Sequence, residues 1–287
     1  MESYTCVKAA ILSDIHSNFS AFRACVNDAM AENVDLFIFL GDYVSDLAQP
    51  REVLDLLYRI KENYPTICLR GNRERYMLQH DAGEMAFSEG SKSGSLLYTF
   101  QNLSREDLAF FAQLPIYRRV ELNGVPFELA HAGKEDDRFY FDHHSDLIPI
   151  FSDMTDDFLL CGHCHKQYLA QKEGKTILNP GSVGGSQNGD RRACYALLQF
   201  ESGKIQPILR QVDYDLAATV HAQFESGLTQ MAPTWAVSVL YDIITGQECT
   251  LEILKQVADP WDESQWRKAA EKMGVKFSKG EILTLLI

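Results

Sequence analysis

Five short polar motifs recur along the first two thirds of the chain, and their residue types are those that bind divalent metal ions. In chain order they are Asp14-Ile15-His16, Gly41-Asp42, Gly71-Asn72-Arg73-Glu74, His131 and Gly162-His163-Cys164-His165. Imidazole, carboxylate and amide oxygen suit Mn, Fe or Zn, with Ni or Co as further options, better than ions that select thiolate-rich sites. The candidate ligands are therefore Asp14, His16, Asp42, Asn72, His131, His163 and His165.

The spacing within the motifs suggests how ions are shared. Asp14 and His16 are two residues apart, and so are His163 and His165. Side chains two apart in an extended chain point the same way, so each pair can contribute to one ion. A carboxylate such as Asp42 can bridge two ions. Each motif alone also occurs by chance, and a single histidine is more often an ordinary polar residue. It is the ordered set that predicts a metal site.

The elements that must position these motifs are predicted strands, because each motif directly follows one. Residues 6–13, 35–40 and 66–70 are apolar and predict strands. Helices predicted from Ser17 or Asn18 to about 32, and over 50–62, alternate with them. Such alternation favours a parallel sheet covered by helices. Strand ends line the binding crevice of open α/β sheets, so we expect the motifs to converge.

The second half of the core is expected to contain antiparallel strands. Helices are predicted over 91–101 and 104–113, where Ser104 and Asp107 resemble a capping box. A further apolar strand is predicted at 157–161. Three hairpins follow from their turn residues: 116–122 with 125–130, 167–172 with 176–179, and 193–200 with 204–211.

The last part of the chain has a different character. Helical patterns cover 214–226, 233–243, 249–257 and 263–273, and no ligand motif falls among them. We therefore expect a catalytic domain over 1–212 and a helical C-terminal extension over 213–287, packed on the core. Residues 233–287 of this extension could cover the sheet, form a lid, or serve as a homo-oligomer surface.

Composition narrows the classes of function. The 287 residues carry a net charge of −13, which argues against long nucleic acids as partners. No stretch approaches the roughly 20 apolar residues of a membrane span, and the first residues do not resemble a signal peptide. The seven cysteines are then expected to be reduced thiols in a cytoplasmic protein.

Taken together, the motifs resemble those of the calcineurin-like metallophosphoesterase superfamily, over residues 10–185. The resemblance implies a four-layer αββα sandwich, a mixed α/β fold, with two metal ions at one edge. It also implies that Asp14, His16 and His165 hold one ion, that Asn72, His131 and His163 hold the other, and that Asp42 bridges them. Asn179-Pro180-Gly181-Ser182 resembles a loop of the bacterial phosphodiesterase branch, which includes asymmetric diadenosine tetraphosphatase-like enzymes.

The implied chemistry is hydrolysis of a phosphodiester or phosphoanhydride bond in a small, nucleotide-type substrate by attack of a metal-bound hydroxide. Two divalent ions, two carboxylates and a bridging hydroxide leave the site with about one positive charge in an acidic protein. Asn72, Arg73 and His131 are the expected catalytic residues. A phosphomonoesterase and a metal-binding regulatory protein with little catalysis are the alternatives.

Arg73 departs from the family pattern, because many members have histidine there. Arginine cannot act as a general acid near neutral pH, but it can grip phosphate oxygens. We therefore expect Arg73 to stabilise negative charge while a good leaving group departs unprotonated. The alternative is that Arg73 points to solvent or pairs with Glu74 or a neighbouring acid. Asp46 does not fit the spacing of phosphoprotein phosphatases, which argues against that class.

Several other residues are weaker site candidates. Cys161 is expected to pack in the core, and Cys164 to point away from the histidines beside it. The pair His143-His144 could contact substrate, but a solvated loop is the simpler expectation. The pair Arg191-Arg192 could bind a distal phosphate or be solvated. His80 and His221 are expected to be ordinary polar residues.

Overall fold

Two β-sheets form the centre of the molecule. The computed structural model describes residues 1–90, 93–134, 147–258 and 262–286. The strands are β1 (Glu2–Tyr4), β2 (Lys8–Leu12), β3 (Leu36–Phe39), β4 (Thr66–Cys68), β5 (Tyr117–Leu122), β6 (Val125–Ala130), β7 (Phe158–Leu160), β8 (Gln167–Lys172), β9 (Lys175–Pro180), β10 (Ala193–Glu201) and β11 (Lys204–Val212). One sheet has the order β1-β5-β6-β7-β9-β8 and the other β11-β10-β2-β3-β4.

Helices cover both sheets and fill the C-terminal part. They are α1 (Phe19–Ala31), α2 (Pro50–Asn63), α3 (Asn72–Asp81), α4 (Gly94–Gln101), α5 (Arg105–Gln113), α6 (Leu147–Asp153), α7 (Leu216–Glu225), α8 (Leu228–Met231), α9 (Pro233–Thr245), α10 (Cys249–Leu254), α11 (Glu263–Lys272) and α12 (Lys279–Thr284). None of the helices in the described ranges is long and apolar enough to cross a membrane.

Alternating side chains of the parallel strands explain the layers. In β2, Ala10 and Leu12 pack against α1 and α2, while Ala9 and Ile11 face the second sheet. The second sheet contributes Phe127 and other apolar residues of β5, β6, β7 and β9 to the layer between the sheets. Helix α6 packs on the opposite face of that sheet. The molecule is therefore a mixed α/β sandwich with helical outer layers, as expected.

The hairpins are present, but the order of the strands is more complex than a run of hairpins. β5 with β6, β8 with β9 and β10 with β11 are antiparallel. β7, in contrast, lies parallel to both β6 and β9. β10 joins the other sheet, antiparallel to β2. Neighbours in a sheet can be distant in sequence, so local patterns predicted the strands and not this order.

The helix starts follow their capping residues. The Asn18 side chain accepts a hydrogen bond from the Ala21 N–H and caps α1. Ser104 and Asp107 form the capping box of α5 that the sequence predicts. Sequence patterns do not predict α3, α6, α8, α12 and β1, which are short or lack a regular apolar spacing. Of these, α3 matters most for the site, because it begins at Asn72, one of the predicted metal ligands.

The C-terminal helices share an apolar cluster of their own. It contains Val220, Leu240, Ile253 and Trp266, and Leu47 of the core packs into it. The last strand ends at Val212 and α7 begins at Leu216. The division of the chain into domains 1–212 and 213–287 stays a prediction.

Candidate metal centre

The seven predicted ligands lie together at one edge of the sandwich. Asp14, His16 and His165 form one group, and Asp42, His131 and His163 form another, and within each group the ligand atoms lie within 4.8 Å of one another. Asn72 joins the second group, since its Oδ1 lies 3.1 Å from His131 Nε2 and 3.0 Å from His163 Nδ1. Their role as ligands stays a prediction, and the structure shows that they can share a site.

The first group presents three atoms to one point. His16 Nε2 lies 3.0 Å from His165 Nε2. Asp14 Oδ1 lies 3.8 Å from the first nitrogen and 3.4 Å from the second. This oxygen is buried and accepts no hydrogen bond within the described part of the chain. Such a buried acceptor is costly unless a cation or proton lies beside it.

Contacts on the far side of three of the four imidazoles leave Nε2 facing the centre. His131 Nδ1 lies 2.9 Å from Leu40 O, and His165 Nδ1 lies 3.0 Å from Gly185 O. A carbonyl only accepts, so each Nδ1 carries a proton and each Nε2 is the nitrogen that can bind a metal. His16 Nδ1 also faces away from the centre and lies 3.0 Å from Asp46 Oδ2, although this contact lacks the geometry of a hydrogen bond. The residues present therefore fit a pair of divalent cations.

Asp42 lies between the two groups, where a bridging ligand is needed. Its Oδ2 lies 3.5 Å from His131 Nε2 in one group and 3.7 Å from His16 Nε2 in the other. Its Oδ1 accepts the Arg73 N–H at the start of α3, at 2.8 Å. One oxygen is thus fixed by the backbone, and the other is left to face both groups.

The backbone that carries the ligands is not extended, which corrects our expectation from the spacing of the motifs. Twelve non-glycine residues have positive φ among those described, and most lie in the motif loops. Those at the site are Asp14, His16, Ser17, Asp42, Ser45, Asp46, His163 and His165. Left-handed conformations of this kind cost energy and cluster at functional sites. The side chains therefore converge through tight turns at the strand ends.

The glycines of the motifs let these turns touch. A Cβ on Gly71 would lie 2.1 Å from Asp42 Oδ1, and a Cβ on Gly162 would lie 2.0 Å from Ser13 Oγ. Hydrogen bonds then join the loops, for example from the Asp14 N–H to Gly41 O at 3.0 Å. Only glycine permits such a close approach of backbones.

The local charges draw protons onto two of the histidines. Burial alone lowers the pKa of His131, but Asp42 and Asp14 outweigh it and raise the pKa to about 10. For His16, Asp14 and Asp46 likewise overcome burial and raise the pKa to about 9. Burial, and then the charge on His131, lowers the pKa of His163 to about 4. The centre thus carries negative charge that protons or cations must balance.

Glu74 holds the second and third motif loops together. It is fully buried, and its carboxylate accepts the N–H groups of Asp42, Tyr43 and Gly71 at 2.8–2.9 Å. Burial and the nearby Asp42 raise the pKa of Glu74 to about 7. The sequence contained this residue in its motif, but gave no signal for its structural role.

Arg73 pairs with Asp46 and not with Glu74. Its Nη2 lies 3.0 Å from Asp46 Oδ2, and its Nε lies 3.9 Å from Asp42 Oδ2. Asp46 also accepts a hydrogen bond from Trp235 Nε1, in helix α9, at 3.1 Å. Asp46 therefore connects a ligand histidine, the arginine and the C-terminal helices. Sequence reasoning missed this role, because Trp235 belongs to no motif.

The remaining candidates lie elsewhere. Cys161 is buried among apolar residues, and Cys164 Sγ accepts from Asn179 Nδ2 at 3.2 Å. Arg192 pairs with Asp190, and Arg191 is exposed beside a cavity that none of the predicted metal ligands lines. His80 stacks on Phe87, and His221 contacts Glu225 on the surface. His143 and His144 lie outside the described residues.

Comparisons with known proteins identify the family. Residues 7–203 match the family described as the calcineurin-like phosphoesterase superfamily domain. An uncharacterised protein of Methanocaldococcus jannaschii is 25% identical over 249 residues, which cover 79% of this chain and 94% of that protein.

Two solved structures share the fold. One is a metallophosphoesterase from Sphaerobacter thermophilus, with a TM-score of 0.66 and 23% identity over 84% of this chain and 99% of that one. The other is a hypothetical protein from Pyrococcus horikoshii OT3, with a TM-score of 0.68 and 18% identity over 85% of this chain and 100% of that one.

Proposed function

The chain belongs to the calcineurin-like phosphoesterase superfamily, and from this premise we propose that it hydrolyses phosphodiester or phosphoanhydride bonds of small, nucleotide-type substrates with two divalent metal ions. The observation that carries the proposal is the position of Asp42 Oδ2 between the two ligand groups. Both groups offer imidazole nitrogen and carboxylate oxygen, which suit Mn, Fe or Zn.

Asp14, His16 and His165 would hold one cation, Asn72, His131 and His163 the other, and Asp42 both. Once bound, such a pair of cations neutralises phosphate charge and lowers the pKa of a water molecule that lies between them. The chain's own contribution is to fix the ligands. Leu40 O and Gly185 O orient two imidazoles, and Asp46 orients a third.

Arg73 supplies a fixed positive charge at this centre. Its ion pair with Asp46 holds the guanidinium in place, and about a fifth of its side chain, 22%, is exposed. Its Nε is buried and makes no hydrogen bond within the described residues, so a contact with a phosphate oxygen must come from the exposed part of the side chain. Arginine gives up no proton at neutral pH, so the leaving group departs as an anion. Anhydrides and aryl esters should therefore react faster than alkyl esters.

The test is an activity screen with Mn, Fe, Co, Ni or Zn, with metal content measured in the same samples. Bis-p-nitrophenyl phosphate, p-nitrophenyl phosphate, cyclic nucleotides and dinucleoside polyphosphates should be compared. We expect diesters or anhydrides to be cleaved, and cleavage to be lost in His131→Ala but kept in the surface variant His221→Ala. Preference for the monoester would make the protein a phosphomonoesterase. A metal-loaded protein that cleaves nothing would be regulatory, and the hydrolase proposal would fail.

The role of Arg73 is tested separately with esters whose leaving groups differ in pKa. We expect kcat/KM to fall steeply as the leaving-group pKa rises, and to fall more steeply still in Arg73→Ala. A flat dependence would contradict this role.

The acidic composition favours a small phosphorylated substrate over long nucleic acid. A cytoplasmic location, and a homo-oligomer formed through the C-terminal helices, also remain proposals. Size measurement of the purified protein at several concentrations tests whether it forms a homo-oligomer.

A further inference from the structure

The segment 182–185, which follows β9, lies against the loop that carries Asp14, and we call it the serine loop. The Gly184 N–H donates to Asp14 O at 2.9 Å, and Asn18 Nδ2 donates to Gly184 O at 2.9 Å. A Cβ on Gly184 would lie 2.0 Å from Ile15 O, so this close approach requires glycine. The backbone of the serine loop is therefore docked on the first metal motif.

The Ser182 side chain adds two hydrogen bonds, and through them it reaches two predicted ligands. Ser182 is fully buried, and its Oγ donates to Asp14 O at 2.7 Å and accepts the Gly185 N–H at 2.8 Å. Gly185 O in turn lies 3.0 Å from His165 Nδ1 and accepts its proton. One hydroxyl group thus connects the backbone of Asp14 with the imidazole of His165, and both residues belong to the same ligand group.

Asp14 needs this support because its backbone has a left-handed conformation, with φ of 54°. Such a conformation persists only where the surrounding contacts hold it. Asp14 O accepts from Ser182 Oγ and from the Gly184 N–H, and the Asp14 N–H donates to Gly41 O at 3.0 Å. The Ser182 hydroxyl is thus one of the contacts that hold the turn from which the Asp14 carboxylate faces the metal centre.

His165 depends on the same hydroxyl through a glycine. Gly185 has no side chain and follows another glycine, so its backbone has many accessible conformations. The hydrogen bond from the Gly185 N–H to Ser182 Oγ restricts them, and the Gly185 carbonyl then faces His165 Nδ1. A carbonyl in this position fixes the tautomer and the orientation of a ligand imidazole.

The second ligand group is held from other parts of the chain. His131 Nδ1 lies 2.9 Å from Leu40 O, and Asp42 Oδ1 accepts the Arg73 N–H at 2.8 Å. Glu74 accepts the Asp42 N–H at 2.9 Å. These contacts come from the residue after β3 and from the start of α3, and not from the serine loop. Loss of the Ser182 hydroxyl should therefore affect one ligand group and spare the other.

We propose that Ser182 is a positioning residue for the cation held by Asp14, His16 and His165, and that its hydroxyl sets the affinity of this cation and not that of the second one. The inference rests on the metal site of the proposed function and deepens it, because it assigns each cation its own supporting contacts. Residues that orient a metal ligand typically contribute about 10–100-fold to metal affinity. Ser182 acts through backbone groups, so we expect the lower end of this range, about tenfold.

The first experiment titrates metal-free Ser182→Ala and Ser238→Ala with Mn²⁺ by calorimetry. Ser238 is a matched control, because it is also fully buried and its Oγ donates to a backbone oxygen, Thr234 O, at 2.8 Å within α9. We expect one of the two ions to bind about tenfold more weakly in Ser182→Ala, and both to keep their affinities within about threefold in Ser238→Ala. Ser182→Cys retains a weak donor and acceptor and should lie between Ser182→Ala and the unmodified chain.

Two backgrounds then assign the weakened ion to its site. His131→Ala removes a ligand of the second group, so the remaining ion is held by the first group and Asp42, and His165→Ala does the reverse. Adding Ser182→Ala should weaken Mn²⁺ binding about tenfold in the His131→Ala background and less than about twofold in the His165→Ala background. A general loss of stability would act equally in both, so the difference distinguishes positioning from a merely structural role.

Four results would overturn the inference: affinities within about threefold of the unmodified chain for both ions in Ser182→Ala, an equal effect in Ser238→Ala, equal weakening in the two backgrounds, or a His131→Ala protein that binds no ion. Urea unfolding of each metal-free variant confirms that it is folded before titration. If Mn²⁺ binds as expected but no phosphate ester is cleaved, the proposed function fails and the role of Ser182 stands. An unmodified chain that binds no metal would remove both.

Discussion

The metal centre and the C-terminal helices differ in how they are built. In the motif loops, ligands such as Asp14 and His163 adopt left-handed backbone conformations and carry buried polar groups. In the described residues after Val212, only glycines have positive φ. Those helices begin at ordinary capping residues, among them Asp215, Asp262 and Ser278.

The difference shows two ways in which a chain contributes to a site. Strained turns persist only where the surrounding structure holds them, so the core accepts a local cost to aim its ligands. The C-terminal helices contain no such strained residues among those described after Val212, and they pack beside the metal centre in regular conformations. The two regions meet at Asp46, which contacts His16, Arg73 and Trp235. Changes on either side of this residue can test the comparison.

The largest effect is expected from Asp42→Asn. An amide cannot bridge two cations as a carboxylate does, and it removes one negative charge from the centre. We expect activity to fall by at least about 10³-fold, because electrostatic stabilisation is the main source of rate enhancement in such sites. Bound metal should fall from two ions per chain to one or fewer, as measured by elemental analysis.

A matched control for this variant is Asp107→Asn, which alters another buried aspartate far from the metal motifs. Asp107 caps α5 and accepts a hydrogen bond from Tyr58. The control should lose stability and keep its metal. If both variants retained two ions, the bridging role of Asp42 would be wrong.

Metal affinity should depend steeply on pH. In the metal-free protein His16 and His131 have pKa values of about 9 and 10, so both imidazoles are in the protonated, cationic form at pH 7. Metal binding must release these protons, so affinity should rise as pH rises, by up to about a hundredfold per unit when two protons leave. Calorimetry in buffers with different ionisation enthalpies measures the number released.

The same raised pKa values determine how the stability of the metal-free protein changes with pH. Histidine pKa values raised above the unfolded value of about 6.5 give stability that is present below that pH and is lost as pH rises through 9 to 10. Metal-free protein should therefore unfold more easily at pH 10 than at pH 7. Proton release near zero on metal binding would contradict this account.

Asp46→Asn should have an intermediate effect that reaches both regions. It leaves the ligands in place but weakens the contacts with His16 and Arg73. Loss of a residue that orients a ligand typically costs about 10–100-fold in metal affinity or activity. Trp235→Phe removes only the hydrogen bond from the helices, so it should cost about threefold or less, in line with the modest net value of one hydrogen bond. Equal losses of metal affinity or activity in Asp46→Asn and Trp235→Phe would show that the contact with the C-terminal helices positions the metal ligands. The charge of Asp46 would then not be the cause.

The smallest effect on activity is expected from Asp242→Asn in the helical region, which should instead change stability. Burial, partly offset by hydrogen bonds from Thr250, raises the pKa of Asp242 to about 8. The folded protein therefore keeps a proton that the unfolded chain loses above pH 4, so stability falls as pH rises from about 4 to 8. Asparagine should remove this loss and stabilise the protein by roughly 1–3 kcal/mol at pH 8. Urea unfolding at pH 5 and pH 8 measures it, and the gain should be smaller at the lower pH.

Much of the core was predictable because its signals are local. Buried strands such as β2 and β3 appear as short apolar runs, and Asn123-Gly124 marks the hairpin of β5 and β6. The five motifs identified the seven candidate ligands. Helix α3 was missed because the polar run from Asn72 has no apolar periodicity. Its fold depends on contacts of Glu74 with the neighbouring loops.

The parallel placement of β7 between β6 and β9 could not be derived from the sequence, since pairing of distant strands has no local signature. Nor could the turns that carry Asp14 and His165. Their spacing favoured extended chain, but loop-to-loop hydrogen bonds and close glycine contacts impose left-handed conformations instead.

The sequence by itself determined the order of the motifs, the chemistry of their side chains and the family to which they belong. Those properties reside in residue types at short spacing. The tertiary structure alone decided that Arg73 pairs with Asp46, and that Trp235, 189 residues further along the chain, contacts the same carboxylate. It also decided that apolar side chains of α9 and α10 line a pocket, because an apolar residue carries the same signal whether it fills a core or faces a ligand.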